Sequence, residues 1–463
     1  MVIEPSIFKS YDIRAVYPTQ LDEEGIERIT RAIFKFFTEK IGSDRQLKVV
    51  LSYDMRLSGP ALYPKVKQAL VDMGAEVIDI GKTSTPTFYF AVSKYGFDCG
   101  IQITASHNPP EYNGLKFVIN TPKGLLKIGK STGMTEIKDM ATNGEIDFEP
   151  KFEGKVTSRS GVLEDEAQNA LDIFHNPQIK EFKVVADPAN AMGGTYIEAI
   201  FNKIPGNLIK MNFELDGSFP AHQPDPLNFD NLKDLQKRVL EEGADIGLAP
   251  DGDGDRLYLV DEKGNIVTAT ILTALIAREM LNENPGEMIL FDIRYILGSS
   301  KIVEEFGGRF DITKVGHAYI TEQMTNTGAI FAGESSGHFY YKATGNAESQ
   351  VSTIVAVLTV MTRENKPLSE ILEELRRSHE SGEFNFEVTN AKEIIEAIKE
   401  KYSDGKLSEM DGIAITYPDW RVSLRSSNTE PLLRLNIESF DQTVMEEKRD
   451  EIKSEIERLA KHE

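Results

Sequence analysis

A few short polar loops hold the residues best able to do chemistry in this 463-residue chain. Thr104-Ala105-Ser106-His107-Asn108-Pro109-Pro110 follows an apolar run directly. A serine on such a sharp loop presents its oxygen as a nucleophile or phosphate carrier. His107 beside it suits proton movement or a hydrogen bond to a phosphoryl oxygen. The prolines restrict the backbone that follows, and Lys116 adds a cation. The plainer reading is a polar turn whose serine caps something. The loop lacks a G-x-S-x-G elbow, and the chain lacks a GxxxxGK[ST] phosphate loop, so neither of those chemistries is indicated. Asp12 and Arg14 form a second polar cluster whose meeting with Ser106 depends on the fold.

Asp251-Gly252-Asp253-Gly254-Asp255-Arg256 is the most specific signal. Glycines let the backbone curl so that three carboxylates converge on one hard divalent cation. Without a cation, carboxylates this close raise one another's pKa. A calcium loop is the competing metal reading, since Asp251, Asp253, Asp255 and Glu262 fall at its positions 1, 3, 5 and 12. Arg256 stands where that loop needs glycine, and the flanks read as strands, not helices. Magnesium, with a phosphate oxygen completing its shell, fits better.

Gly316-His317 and Glu334-Ser335-Ser336-Gly337-His338 place a carboxylate, hydroxyls and imidazoles where a polyol such as a sugar could be read. Arg425-Ser426-Ser427-Asn428-Thr429, with Arg434 further on, supplies guanidinium forks and a polar turn able to cradle a phosphate. An ordinary hairpin turn is the alternative. A serine carrier, a hard-metal loop, a polyol reader and a phosphate grip together favour phosphoryl transfer on a phosphorylated sugar.

These loops must be positioned, and the chain shows how. QLKVVLSYD, EFKVVADP and GEMILFDI are three apolar runs ending near Asp54, Asp187 and Asp292. Each is followed by a helical pattern starting at Gly59, Gly193 or Gly298, then by a second strand from Glu76, Asn207 or Phe310. Third strands from Cys99, Ala244 and Gly328 lead directly into the three loops. Nearly continuous apolar runs alternating with amphipathic helices indicate β-α-β units on sheets buried on both faces. Boundaries fall near residues 150, 257 and 366. Beyond them, two helices, three strands from Asp411, Trp420 and Pro431, and a charged helix from Met445 read as an α+β module. The expected class is α/β, with three related domains on mostly parallel mixed sheets plus that module.

Composition narrows the partners. Basic residues number 52 against 74 acidic, a net charge of −22, which discourages a broad nucleic-acid footprint. The apolar stretch Val351 to Met361 is too short to span a membrane, and no secretory signal is read at the N-terminus. A lone cysteine, Cys99, excludes an internal disulfide and fits a reducing compartment, so a cytoplasmic location is expected. Monomer and homodimer are both open.

The sequence resembles the α-D-phosphohexomutase family. TASHNPPEYNGLK (Thr104 to Lys116) is similar to its phosphoserine loop, and DGDGDR (Asp251 to Arg256) to its metal loop. GESSGH (Gly333 to His338) is similar to its sugar loop, RSSNTEPLLR (Arg425 to Arg434) to its phosphate loop, and KSYDIRA (Lys9 to Ala15) to its N-terminal signature. The motifs stand in family order across essentially the whole chain.

The resemblance implies a phosphoserine-loop domain at residues 1–150, a metal-loop domain at 151–257, a sugar-recognition domain at 258–366 and a phosphate-binding domain at 367–463, around a central cleft. Ser106 would carry the phosphate, with Mg²⁺ held by that group and Asp251, Asp253 and Asp255. Arg14, His107, Lys116, Arg256 and His317 would surround the reacting centre. Glu334, Ser336 and His338 would meet the sugar, and Arg425, Ser427, Asn428, Thr429 and Arg434 the phosphate that does not react. The implied activity is reversible interconversion of hexose 1- and 6-phosphates through a hexose 1,6-bisphosphate, with glucose 1,6-bisphosphate or an equivalent as activator.

Ser335 differs from the methionine of many mannose/glucose members and the glutamine of glucosamine members. Ala15 replaces a common glycine, and His222-Gln223-Pro224-Asp225-Pro226 leans toward the mannose/glucose members. Phosphoglucosamine mutase, a metal-dependent sugar phosphatase and a non-catalytic sugar-phosphate or calcium-binding module are the alternatives.

Overall fold

In the computed structural model of the chain, which describes residues 3–42, 44–144, 146–426 and 432–460, the uninterrupted apolar runs become central strands. Two compact units form: Met1–Val267 with Ser336–Ser369, and Thr268–Ser335 with Glu370–Glu463. Each is described by itself.

The first unit contains two sheets. One has seven strands, and in it Lys48–Tyr53 lies parallel to both Glu76–Lys82 and Cys99–Ile103. Val49, Val50 and Leu51 are buried in succession on both faces, which explains why this run shows no polar alternation. Tyr112–Thr121 returns antiparallel to Cys99–Ile103, and Ile13–Val16 adds antiparallel beyond it. That last pairing brings the backbone so close at Gly114 that a Cβ there would lie 1.8 Å from the Ile13 carbonyl. The second sheet has five strands, with Ile246–Pro250 parallel to Lys183–Ala186 and antiparallel to Leu257–Asp261. The Ser106 loop and the Asp251–Arg256 loop thus occupy the same position: each joins a buried parallel strand to an antiparallel return. The hairpin of Phe339–Tyr341 and Ala347–Glu348, and the helix Gln350–Glu364, also belong to this unit.

In the second unit, Met288–Asp292 lies parallel to Arg309–Thr313 and Phe331–Gly333. An antiparallel six-stranded sheet is centred on Trp420–Ser426 and Leu432–Ser439. Val422, Leu424, Leu435 and Ile437 pack there with Ile394 and Ile398 of the helix Ala391–Lys401 and with Ile452 and Ile456 of the helix Gln442–Ala460. The expected α/β class with its C-terminal α+β part is what forms. Among the described residues, no helix is long and apolar enough to cross a membrane.

Candidate active site

The repeat seen in the sequence has a local cause. At the end of each first strand the aspartate turns back and accepts a hydrogen bond from the backbone N–H two residues on. Asp54 Oδ1 takes it from Arg56 at 2.9 Å, Asp187 Oδ1 from Ala189 at 3.0 Å, and Asp292 Oδ1 from Arg294 at 2.8 Å. An Asx turn of this kind redirects the chain into the following helix. In two copies the donor is an arginine, and its guanidinium then holds that copy's functional loop.

Arg56 is 1% exposed. Its Nη1 donates to the carbonyls of Pro109 at 2.7 Å and Tyr112 at 2.9 Å; its Nη2 donates to those of Ser106 at 2.8 Å and Asn108 at 2.6 Å. Four carbonyls of one loop are thereby fixed. Within it Ser106 adopts φ +52°, a left-handed conformation that costs a non-glycine residue free energy. The Ser106 N–H donates to Thr104 Oγ1 at 2.9 Å. Gly252 is required beside it, because a Cβ there would lie 2.3 Å from the Ser106 carbonyl oxygen.

Ser106 Oγ lies within hydrogen-bond reach of two acceptors, His107 Nδ1 at 3.1 Å and Asp251 Oδ2 at 3.2 Å. Burial, then the charges of Arg256 and Arg14, hold the His107 pKa well below its ordinary value, so the ring is neutral. Lys116 Nζ donates to Asp253 Oδ2 at 2.6 Å and to Asp255 Oδ2 at 2.5 Å. Burial opposes that ammonium, but the two aspartates outweigh it and raise its pKa well above normal. Burial, then Asp255 and Asp253, push Asp251 well up. Burial also works against the Asp255 charge, but Lys116 and His338 hold its pKa well down. His338 Nε2 is 3.2 Å from Asp255 Oδ1, and its Nδ1 is 2.9 Å from Ser336 Oγ.

Asp251, Asp253 and Asp255 are buried, and one oxygen of each lies within 4.8 Å of the others. Asp253 Oδ1 has no hydrogen-bond partner among the described residues. Three converging carboxylates, with Asp253 Oδ1 left without a donor among the described residues, fit a hard divalent cation. The flanking elements are strands, and Glu262 is turned to the backbone N–H and hydroxyl of Ser369, so a helix–loop–helix calcium site does not form.

Arg14 joins this cluster, as the sequence left open: its Nε donates to Asp12 Oδ2 at 2.8 Å and its Nη1 to Asn108 Oδ1. Arg256 Nε stands 3.9 Å from Asp251 Oδ2. Ser106, His107, Lys116, Arg14, Arg256, the three aspartates, Ser336 and His338 therefore all lie in the first unit.

In the second unit Arg294 Nη2 donates to Glu334 Oε1 at 3.3 Å, while Asp292 takes a fork from its Nε at 2.9 Å and Nη2 at 3.1 Å. Ser335 folds onto the same Asp292, through its N–H at 2.6 Å and its hydroxyl at 2.8 Å. Arg425 and Arg434 sit directly opposite one another on neighbouring strands. His317 opens the helix His317–Thr327. Ser427, Asn428 and Thr429 lie outside the described residues.

Sequence reasoning missed Arg56, Arg294 and Thr85. The first two carried a signal, an arginine two residues after the repeat's aspartate. Thr85 carried none: its Oγ1 donates to Asp253 Oδ2 at 2.6 Å and its N–H to the Asp253 carbonyl at 2.9 Å. Ser84 caps the helix Thr85–Lys94 that places it.

The chain matches the descriptions "Phosphoglucomutase/phosphomannomutase, alpha/beta/alpha domain I" over residues 5–145, domain II over 165–264, domain III over 268–378 and the C-terminal domain over 383–455. It is 38% identical to a phosphomannomutase of Methanocaldococcus jannaschii, covering 98% of both chains. To a phosphomannomutase of Vibrio cholerae it is 35% identical, over 98% of this chain and 99% of that one. A crystal structure of a phosphoglucomutase/phosphomannomutase family protein from Burkholderia thailandensis superposes with a TM-score of 0.87 at 30% identity, covering 99% of each.

Proposed function

The chain belongs to the phosphoglucomutase/phosphomannomutase family and is a phosphohexomutase, an intramolecular phosphotransferase acting on hexose phosphates; from that premise we propose that it interconverts the 1- and 6-phosphates of mannose and glucose through a phosphoserine at Ser106. The observation that carries the reading is the setting of Ser106 Oγ, held on a strained, clamped loop 3.2 Å from Asp251.

Phosphoserine gives its phosphoryl group to the free hydroxyl of a hexose phosphate, forming a 1,6-bisphosphate, and the other phosphate then returns to Ser106. The returning group displaces the Ser106 hydroxyl proton, for which His107 Nδ1 at 3.1 Å is the neutral acceptor. Lys116 and Arg256 offset charge on the transferring group, and Arg14 stands with Asn108 beside the same loop. Asp251, Asp253 and Asp255 would hold Mg²⁺, which supplies charge neutralisation to the phosphoryl oxygens. Glu334, Ser336 and His338 read sugar hydroxyls, His317 serves the reacting centre, and Arg425 and Arg434, with Ser427, Asn428 and Thr429, hold the phosphate that is not reacting. Ser335 spends its hydroxyl on Asp292, so the side chain that differs from both groups of relatives is not offered to the sugar.

Phosphorus NMR tests this directly. With Mg²⁺ and a trace of glucose 1,6-bisphosphate, mannose 1-phosphate and glucose 1-phosphate are expected to convert to 6-phosphates, and Ser106→Ala to stop both. Turnover of glucosamine 1-phosphate alone would reassign the substrate, and free phosphate without any 6-phosphate would point to a phosphatase.

A further inference from the structure

The two arginines of the proposed phosphate grip already share a carboxylate, supplied by the chain itself. Arg425 and Arg434 oppose each other across adjacent antiparallel strands, an arrangement in which like charges repel. Glu383 relieves it. Its Oε2 is 3.6 Å from Arg425 Nη2 and its Oε1 is 3.6 Å from Arg434 Nη1. Arg294 Nη1 stands 3.7 Å from the same carboxylate.

Glu383 shares the face of Asn385, the residue opposite Arg434, and stands at the end of a one-residue bulge. His379–Glu380 and Phe384–Glu387 both pair with Leu432–Ser439, but Glu380 faces Glu438 whereas Phe384 faces Leu435. Three residues, Ser381, Gly382 and Glu383, therefore oppose two, and Gly382 takes φ +76° to absorb the extra one. Bulges of this kind recur beside functional sites, where they redirect a side chain.

The contact is looser than its neighbours. Arg294 makes a hydrogen-bonded fork to Asp292, while Glu383 stays beyond hydrogen-bond reach of all three guanidiniums. Arg425 is nearly buried, and its Nε has no hydrogen-bond partner among the described residues. Arg294 is also held by Asp292 and Glu334, so Glu383 is a carboxylate that the two strand arginines share.

We propose that Glu383 is a resident counter-ion of the distal phosphate grip, a positioning residue that weakens the hold on the non-reacting phosphate so that the bisphosphate can turn over. The inference rests on the reading of Arg425 and Arg434 as that grip. A hold that is equally tight on substrate and intermediate lowers KM without raising kcat, and the intermediate must let go of the grip before its other phosphate can occupy it. The carboxylate taxes each bound state.

The test uses Glu383→Gln, which keeps the shape and removes the charge. Binding of glucose 6-phosphate is measured by calorimetry in a Ser106→Ala background, with turnover measured separately on Ser106 enzyme. Glu383→Gln is expected to bind roughly three- to tenfold tighter, with a fall in both KM and kcat. Glu383→Asp should stay near the parent. Unchanged or weaker binding by Glu383→Gln, with an unaltered melting temperature, overturns the proposal. Arg434→Met separates the premise: if it binds glucose 6-phosphate as tightly as the parent, the grip reading itself fails; if binding is lost, the grip stands and the Glu383 result decides.

Discussion

Asp54–Arg56 and Asp292–Arg294 are one device used twice. Both start from the same turn, in which the aspartate accepts the arginine's own N–H. Arg56 then spends its guanidinium on four loop carbonyls, all neutral. Arg294 instead faces three carboxylates: Asp292, Glu334 and Glu383. The aspartates differ as well. Asp54 Oδ2 has no hydrogen-bond partner among the described residues and faces Arg56 Nε at 3.3 Å. Asp292 Oδ2 is also held by the N–H and hydroxyl of Ser335. The first copy therefore supports a backbone, and the second shares its charge among three carboxylates.

The largest effect that would break this comparison is on stability. Arg56→Met strips Asp54 of the guanidinium beside it and removes a donor from four carbonyls, and should cost about 3–5 kcal/mol. Urea unfolding followed by circular dichroism reads it; a near-parental midpoint would mean the loop holds itself. Arg294→Met should cost less, about 1–3 kcal/mol, because Ser335 still serves Asp292. Its main expected effect is a KM raised by about tenfold, since Glu334 loses its anchor. Equal destabilisation by the two methionine variants would erase the distinction. Smallest is Thr85→Val, an isosteric loss of one hydroxyl to Asp253. Manganese binding followed by paramagnetic resonance should weaken by about tenfold with stability within about 1 kcal/mol of the parent. Unaltered manganese affinity would show that Thr85 does not orient the carboxylate.

What could be read without coordinates follows from the same physics. Lys48–Tyr53 and Ile246–Pro250 were legible because strands buried on both faces are written as continuous apolar runs. The three-aspartate loop was legible because alternating glycines leave its chemistry in a single stretch. The Arg14–Asn108 bond joins residues 94 apart in sequence, and no local pattern encodes it. Glu383 was hidden for a different reason. Phe384 and Phe386 announce a strand and put Glu383 on its other face, but only the pairing register places that face beside Arg434 and Arg425. The division into two units was equally silent, since the chain passes from one to the other three times.

The aspartate loop and its compensating groups come from different sheets. Asp251, Asp253 and Asp255 lie in the loop after a strand of the second sheet, whereas Lys116 is on a strand of the first and Thr85 opens the helix Thr85–Lys94. Three buried acids of one sign cannot be left in a dry interior without a partner. Domains form from the N-terminus forward as a chain is synthesised. Lys116, the ammonium that meets Asp253 and Asp255, therefore precedes both of them in synthesis. Moving the second sheet's segment ahead of the first by circular permutation would reverse that order and present the acids before their cation.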